Sequence, residues 1–369
     1  MTSNIGGMET YIMSQYRHLD KTCIQYDFLN ITGEKNIVFS DEILSCGSAI
    51  YNVCSRHNNP LKHYLQIIQL LWKVRHEYKA IVLNACHLNY MFPIFIAMLF
   101  QYPKRIVHSH NSGDEFKITA MRKVLISLNR LLMNLSATDY WACSYLAGKW
   151  MFKKKKFMVI HNAIEMEKFL YDEGKRKSIR LKLGLEDKYV IGNVARFSYQ
   201  KNHLFLIDIF REVYRRDNTA VLLLIGDTTG DDSIYMAVKD KVRNYGLEKS
   251  VFFLGMRQDV NDLYQGMDCF ILPSKFEGLP VTGVEIQVAG VPCVFSETIT
   301  KEVAITDDVV FMSLNESPIV WAKKLLSMKN TKRKNRSKEI IAAGYDINTE
   351  IEKIMQYYED NIGDDENGK

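Results

Sequence analysis

The chain has 369 residues, 47% of them hydrophobic and 25% charged, and a formal net charge of +5. That length supports two ordinary domains, each with its own core, and the near balance of acids and bases gives no reason to expect nucleic acid as a partner. The seven cysteines are odd in number, scattered and without a Cys-x-x-Cys pair, which argues against a disulfide framework or a zinc site and for reduced thiols in a cytosolic protein.

At the N-terminus no charged start followed by an apolar core marks a signal peptide. Gly6-Gly7 precede a helical stretch, Met8–Leu19. A double glycine there lets the backbone approach a phosphate, which makes Gly7 a candidate contact. A strand should precede such a loop, but Met1 to Ile5 do not make a core strand. Either the true start lies upstream of Met1, or the first domain lacks its first, normally central, strand, which would leave its sheet poorly paired and the glycine loop loosely held. Its further strands read as Tyr26–Leu29, Ala80–Leu83, Arg105–His108, Tyr140–Cys143 and Phe157–Ile160. The apolar run Tyr90–Tyr102 is shorter than the ~18–20 residues that span a bilayer and reads as a buried helix.

His108-Ser109-His110-Asn111-Ser112 ends one of these strands. His110 could hydrogen-bond a sugar hydroxyl or hold a reacting group, or be a satisfied structural histidine. Lys149 to Phe157 mixes five lysines with aromatics, a pattern that suits either an anionic membrane surface or a solvated loop. His161-Asn162 reads as a hinge or cap where the chain crosses between domains. The charged stretch Ala163 to Leu185 is the expected boundary.

The second half alternates cleanly. Strands at Tyr189–Val194, Ala220–Ile225, Val251–Leu254, Cys269–Leu272 and Pro292–Phe295 are separated by helices near His203–Arg216, Asp232–Tyr245, Asp259–Gln265 and Pro280–Ala289. That alternation predicts a parallel sheet covered on both faces. Arg196 and Lys201 follow the first of these strands, where ligands bind in such sheets, and offer two cations to a diphosphate. Glu277 lies in the Gly/Pro-marked turn after Cys269–Leu272, and Glu285, eight positions on, lies in the helix that the turn opens. The two carboxylates can face one crevice and meet a ribose diol and a second polyhydroxylated group, the two parts of a nucleotide sugar. No Gly-x-Gly-x-x-Gly, P-loop or Asp-x-Asp occurs, so a nicotinamide, a nucleotide-hydrolysing site and a divalent ion on a diphosphate are all unsupported. The tail carries helical periodicity from Thr349 to Tyr358, and Gly363 to Lys369 is expected to fray.

Together, Gly6 to Thr10, His108 to Asn111, Val159 to Ile164, Gly192 to Arg196 with Lys201 to His203, Phe253 to Gly255, and Pro273 to Glu285 followed by Ala289 to Pro292 resemble the retaining glycosyltransferases of family 4. The Glu-x7-Glu signature is the most specific part, and the likeness is strongest to enzymes of capsule and exopolysaccharide synthesis. The resemblance implies an α/β GT-B fold, two Rossmann-like doubly wound parallel-sheet domains facing a central cleft. Residues 1–165 would form an acceptor domain completed by a C-terminal helix over 346–362, and residues 166–345 a nucleotide-sugar donor domain. It implies that Glu285 binds the ribose, that Glu277 and the backbone of Gly278, Leu279, Pro280 and Val281 meet sugar and phosphate, that Arg196 and Lys201 hold the diphosphate, that Gly7 lies near the phosphates and that His110 lies near the reacting sugar. The implied reaction moves a hexose from a nucleotide diphosphate donor, UDP before GDP, to a lipid-linked or polysaccharide acceptor, with no metal or other cofactor. The expected setting is the cytoplasm, peripheral on the membrane through Lys149–Phe157. Thr282-Gly283 departs from the aliphatic residues usual between the two glutamates. A nucleotide-sugar epimerase on the same fold and a non-catalytic nucleotide-sugar-binding protein remain alternatives.

Overall fold

The computed structural model describes residues 6–111, 113, 119–228 and 230–362, so Met1 to Ile5, Ser112 and the tail from Gly363 lie outside the described residues. The chain divides into two compact units, Met1–Ile164 with Asp346–Lys369, and Glu165–Tyr345.

In the first unit, β1 (Phe28–Asn30) pairs in parallel with β2 (Ile50–Asn52). A separate parallel sheet runs in the order β3 (Ala80–Ala85), β4 (Lys104–Ser109), β5 (Asp139–Ala142) and β6 (Met158–Val159). β2 has only three residues, too few for a readable pattern. The helix Ile347–Ile362 repeats apolar residues at Ile347, Ile351, Ile354 and Tyr358, one face of a 3.6-residue period, and buries them against Tyr11, Tyr16 and Trp141. The backbone N–H of His161 donates to the buried Glu350 carboxylate of this helix at 2.7 Å, which ties the end of the first sheet to the end of the chain.

The second unit holds one six-stranded parallel sheet: β7 (Tyr189–Val194), β8 (Ala220–Ile225), β9 (Val251–Gly255), β10 (Cys269–Leu272), β11 (Cys293–Ser296) and β12 (Val309–Met312). Successive side chains point to opposite faces. Tyr189 and Ile191 enter a core with Phe210 and Trp321, while Val190 enters another with Leu263 and Ile286. Every residue of β8, Ala-Val-Leu-Leu-Leu-Ile, is buried, as a strand covered on both faces requires. The spatial order is β12-β11-β10-β7-β8-β9, so the winding reverses between β7 and β10. The connections leaving these two strands go to opposite faces, and a crevice opens at their carboxyl ends.

Gly226, just past β8, holds that crevice's backbone in place. Its φ is +137°, and a Cβ there would lie 2.2 Å from the Ala195 carbonyl oxygen. A side chain is therefore excluded by both conformation and space. Gly226→Ala is expected to displace the backbone leading to Arg196 and to cost on the order of 2–4 kcal/mol, read from the denaturant midpoint of unfolding.

Candidate active site

The two loops at the β7–β10 reversal are laced together. The β7 loop runs through Arg196, Gln200 and Lys201 to Asn202, whose φ of +58° is a left-handed conformation that Asn tolerates. From there the Asn202 side-chain amide donates to the Pro273 carbonyl at 3.1 Å, and the Lys275 N–H donates to the Gln200 carbonyl at 2.8 Å. Glu277 is the centre of the arrangement. Its carboxylate accepts from the Lys201 ammonium in a short ion pair, from the Ser274 hydroxyl at 2.8 Å and from the Gln200 amide at 3.1 Å. The Glu277 and Lys201 side chains are only 8% and 14% exposed, so the pair is largely out of solvent. Arg196, earlier in the same loop, is exposed and makes no ion pair among the described residues. Gly278, Leu279 and Pro280 are buried, and Pro280 caps the helix Val281–Val288, whose first N–H groups have no partner within the helix.

Glu285 lies one helical turn past Val281. Its carboxylate accepts from the Tyr264 hydroxyl at 2.7 Å. Burial of the carboxyl raises its pKa to about 7, against the opposing pull of that hydrogen bond. The folded-state value lies above the unfolded value of 4.5, so this group's contribution to stability declines as pH rises from there through about 7. Such a carboxyl becomes a full acceptor when ligand hydroxyls donate to it.

Tyr264 is itself fixed by a cluster that the sequence reading missed. It sits on the helix Val260–Gly266, whose last carbonyls accept from three guanidiniums: Arg176 and Arg333 on Gln265, and Arg180 on Gly266. A single carboxylate, Asp268, pairs with Arg176 and Arg180 and also accepts the β7 N–H of Val190 at 2.8 Å. Burial, and then Arg176, lowers the Arg333 pKa to about 10. These residues are far apart in sequence and follow no motif spacing, so only the fold assembles them.

The first unit places the other two expected site residues. Gly7 is the first residue of the helix Gly7–His18, and Gly6 before it is extended and offers no side-chain cap. Glu9 lies in the same first turn and is buried, so a carboxylate already occupies the neighbourhood of these amides. His110 stands against His108 and Tyr11, with ring centroids 4.1 and 5.5 Å away, and its Nε2 meets the Asn84 side-chain oxygen at 2.8 Å. That contact makes Nε2 the protonated nitrogen and leaves Nδ1 as an acceptor. Burial lowers the His110 pKa to about 4, with Asn162 opposing, so the ring is neutral at physiological pH.

The Lys149–Phe157 patch differs from its expectation. Lys153 to Lys156 are exposed, but Phe152 is buried and Phe157 packs over Gly148. The aromatics turn inward because the neighbouring sheet supplies an apolar surface for them, with Tyr140 5.0 Å from Phe152. The lysines stay exposed, with Trp150 and Phe157 only partly buried. No helix among the described residues is long and apolar enough to cross one. Among those residues no cluster of three or more His, Cys, Asp or Glu has metal-binding geometry.

Chains of similar sequence and fold are known. Residues 175–346 match the family of glycosyl transferases group 1. EpsF of Bacillus subtilis (strain 168), a protein assigned to the glycosyltransferases, is 30% identical over 368 residues, covering 96% of this chain and 94% of its own. The capsular polysaccharide biosynthesis glycosyltransferase CapH of Staphylococcus aureus is 24% identical, with 96% of both chains covered. Among solved structures, Anabaena Alr3699/HepE in complex with UDP superposes with a TM-score of 0.78 at 16% identity over 98% of both chains. The chain belongs to the group 1 glycosyltransferases and has their GT-B fold. That membership makes it a transferase and sets aside the epimerase and the non-catalytic binding protein.

Proposed function

We propose that this glycosyltransferase moves a hexose from UDP-hexose, with retention of configuration, to a lipid-linked or polysaccharide acceptor in the synthesis of a surface glycan. The observation that carries the reading is the convergence of Lys201, Glu277 and Glu285 at the switch point of the second sheet. UDP in the HepE complex and the capsular role in CapH's name support the donor and the pathway class. Glu285 would accept the ribose hydroxyls. Arg196 and Lys201 would take the diphosphate, and Glu277, released from Lys201, would accept hydroxyls of the sugar. The backbone of Gly278 to Val281 would meet sugar and phosphate. The parts assigned to Gly7, beside the phosphates, and to neutral His110, as a hydroxyl partner of the sugar, rest on the resemblance alone.

In this mechanism the bond between the sugar's anomeric carbon and the phosphate oxygen breaks as the acceptor oxygen attacks the same face. The leaving phosphate takes the acceptor's proton. Arg196 and Lys201 supply the positive charge that the departing diphosphate needs, so no metal is required. We place the enzyme on the cytoplasmic side, with Lys153 to Lys156 toward anionic lipid. The test is transfer from UDP-α-hexoses to a lipid-linked glycan, with the product's anomeric proton read by NMR. An α-linked product is expected. A β-linked one would rule out retention, and a preference for GDP-sugars would overturn the donor.

A further inference from the structure

Tyr264 does more than fill the core. Its ring is wholly buried on the helix Val260–Gly266, with Phe169 and Phe270 beside it at 6.1 and 6.3 Å between centroids. A phenylalanine would suit that apolar cage as well. The hydroxyl is the part that packing does not explain, and it reaches Oε2 of Glu285 at 2.7 Å. Burial, with Glu285 next to it, holds the hydroxyl's pKa well above the ordinary tyrosine value, so it stays a donor.

The other carboxylate oxygen, Oε1, has no partner among the described residues, and Glu285 keeps some exposed surface. One oxygen is thus anchored to the protein and its twin is left open. A glutamate side chain that is free to turn must lose rotamer freedom before it can accept two hydrogen bonds at once. The Tyr264 contact holds the carboxylate before any ligand arrives, which removes part of that cost.

The backbones beneath the pair are joined as well. The Arg333 guanidinium donates to the Tyr264 carbonyl at 3.1 Å and to the Ala289 carbonyl at 3.3 Å. The first lies near the end of the helix that carries Tyr264. The second caps the helix that carries Glu285, and the Ala289 N–H returns to the Glu285 carbonyl at 3.2 Å. One guanidinium therefore ties the C-terminal ends of both helices and keeps the phenol and the carboxylate in register.

We propose that Tyr264 is a positioning residue for the nucleotide: by holding Oε2 of Glu285 it turns the carboxylate to meet both hydroxyls of a ribose diol, and so makes the site reject deoxyribonucleotides. The inference rests on the donor reading above, in which Glu285 accepts the ribose hydroxyls, and adds the group that orients it. A held carboxylate offers two adjacent acceptors to two adjacent donors. When the ligand lacks one hydroxyl, a held carboxylate loses that contact outright, whereas a free one turns to improve the contact that remains.

The test is calorimetric titration with UDP, deoxy-UDP and inorganic pyrophosphate. Wild type should bind UDP about tenfold or more tightly than deoxy-UDP, the scale of one hydrogen bond to a charged group. Tyr264→Phe should cut that ratio to about threefold or less and leave pyrophosphate affinity unchanged. In a Glu285→Gln background the same substitution should alter the ratio no further, because the hydroxyl acts through the carboxylate. A wild-type ratio in Tyr264→Phe would overturn the proposal, as would an equal loss in the Glu285→Gln background. Pyrophosphate and UDP weakened together, with the ratio kept, would mean that the hydroxyl serves only the fold, and would also overturn it. A wild-type chain that binds neither nucleotide, or both equally, would instead sink the ribose role of Glu285, and this inference with it. Discrimination that is lost in Glu285→Gln but survives Tyr264→Phe would sink the Tyr264 role alone.

Discussion

Replacing Lys201 by alanine should lower kcat/KM for hexose transfer by about 10²–10³, the size expected when a preorganised charge facing a developing anion is lost. The geometry makes the effect more than the loss of one contact. Lys201 and Glu277 neutralise each other in the resting protein, nearly out of solvent, and each stands where the donor needs its partner's opposite. A diphosphate draws the ammonium and so frees the carboxylate for sugar hydroxyls. In Lys201→Ala the carboxylate loses this counter-charge while the neutral Ser274 hydroxyl and Gln200 amide stay in place. Breaking such a pair from one side destabilises, because the remaining charge is left buried. The double variant Lys201→Ala/Glu277→Gln should therefore recover much of the lost melting temperature while remaining as inactive as the single one. Restored activity in the double variant would show that Lys201 acts only by pairing with Glu277.

The largest effect on stability is expected at Asp268. This carboxylate is the shared counterion of Arg176 and Arg180, lies beside Arg333, and receives the first strand of the second unit through Val190. Asp268→Ala leaves clustered guanidiniums without their anion and a strand N–H without its acceptor. The cost should be about 3–5 kcal/mol, the range for breaking a buried ion pair from one side. Asp268→Asn, which retains an acceptor but no charge, should fall between. Denaturant unfolding of the three proteins decides it: equal midpoints would mean that the guanidiniums are satisfied by the carbonyls of Gln265, Gly266 and Met267 alone.

The second unit was the more legible of the two. Strands such as Tyr189–Val194 and Ala220–Ile225 are continuous apolar runs between polar helices, and a strand buried on both faces can hardly read otherwise. The edge strand Val309–Met312 was missed because it is only partly buried and its short run follows two aspartates. In the first unit, Met158–Val159 falls inside the expected Phe157–Ile160 and Phe28–Asn30 overlaps the expected Tyr26–Leu29, whereas Ile50–Asn52 was missed because three residues leave no period to detect. Glu277, Glu285, Arg196 and Lys201 were candidates because strand–loop–helix grammar marks where ligand-facing residues stand, and the structure places them in the loops and helix that follow β7 and β10. Tyr264 and Asp268 could not: nothing local marks a helix tyrosine as the partner of a carboxyl 21 positions on, or one aspartate as the anchor of several arginines. The aromatics of Lys149–Phe157 misled for the same reason, since an apolar face reads alike whether it meets solvent or core.

The most direct test of the donor site is calorimetric titration of the protein with UDP, without added metal, at pH 7 in two buffers of different ionisation heat. Wild type and Glu285→Gln are compared, so that protons taken up or lost by UDP itself cancel. Burial raises the Glu285 pKa to about 7, and donation from the ribose hydroxyls favours its ionised form. Wild type should therefore bind UDP at least about tenfold more tightly than the variant and release a larger fraction of a proton, with affinity rising as pH increases through about 7. No UDP binding by the folded chain, or equal affinity and proton release in both proteins, would contradict the assignment of Glu285 and of the site built around it.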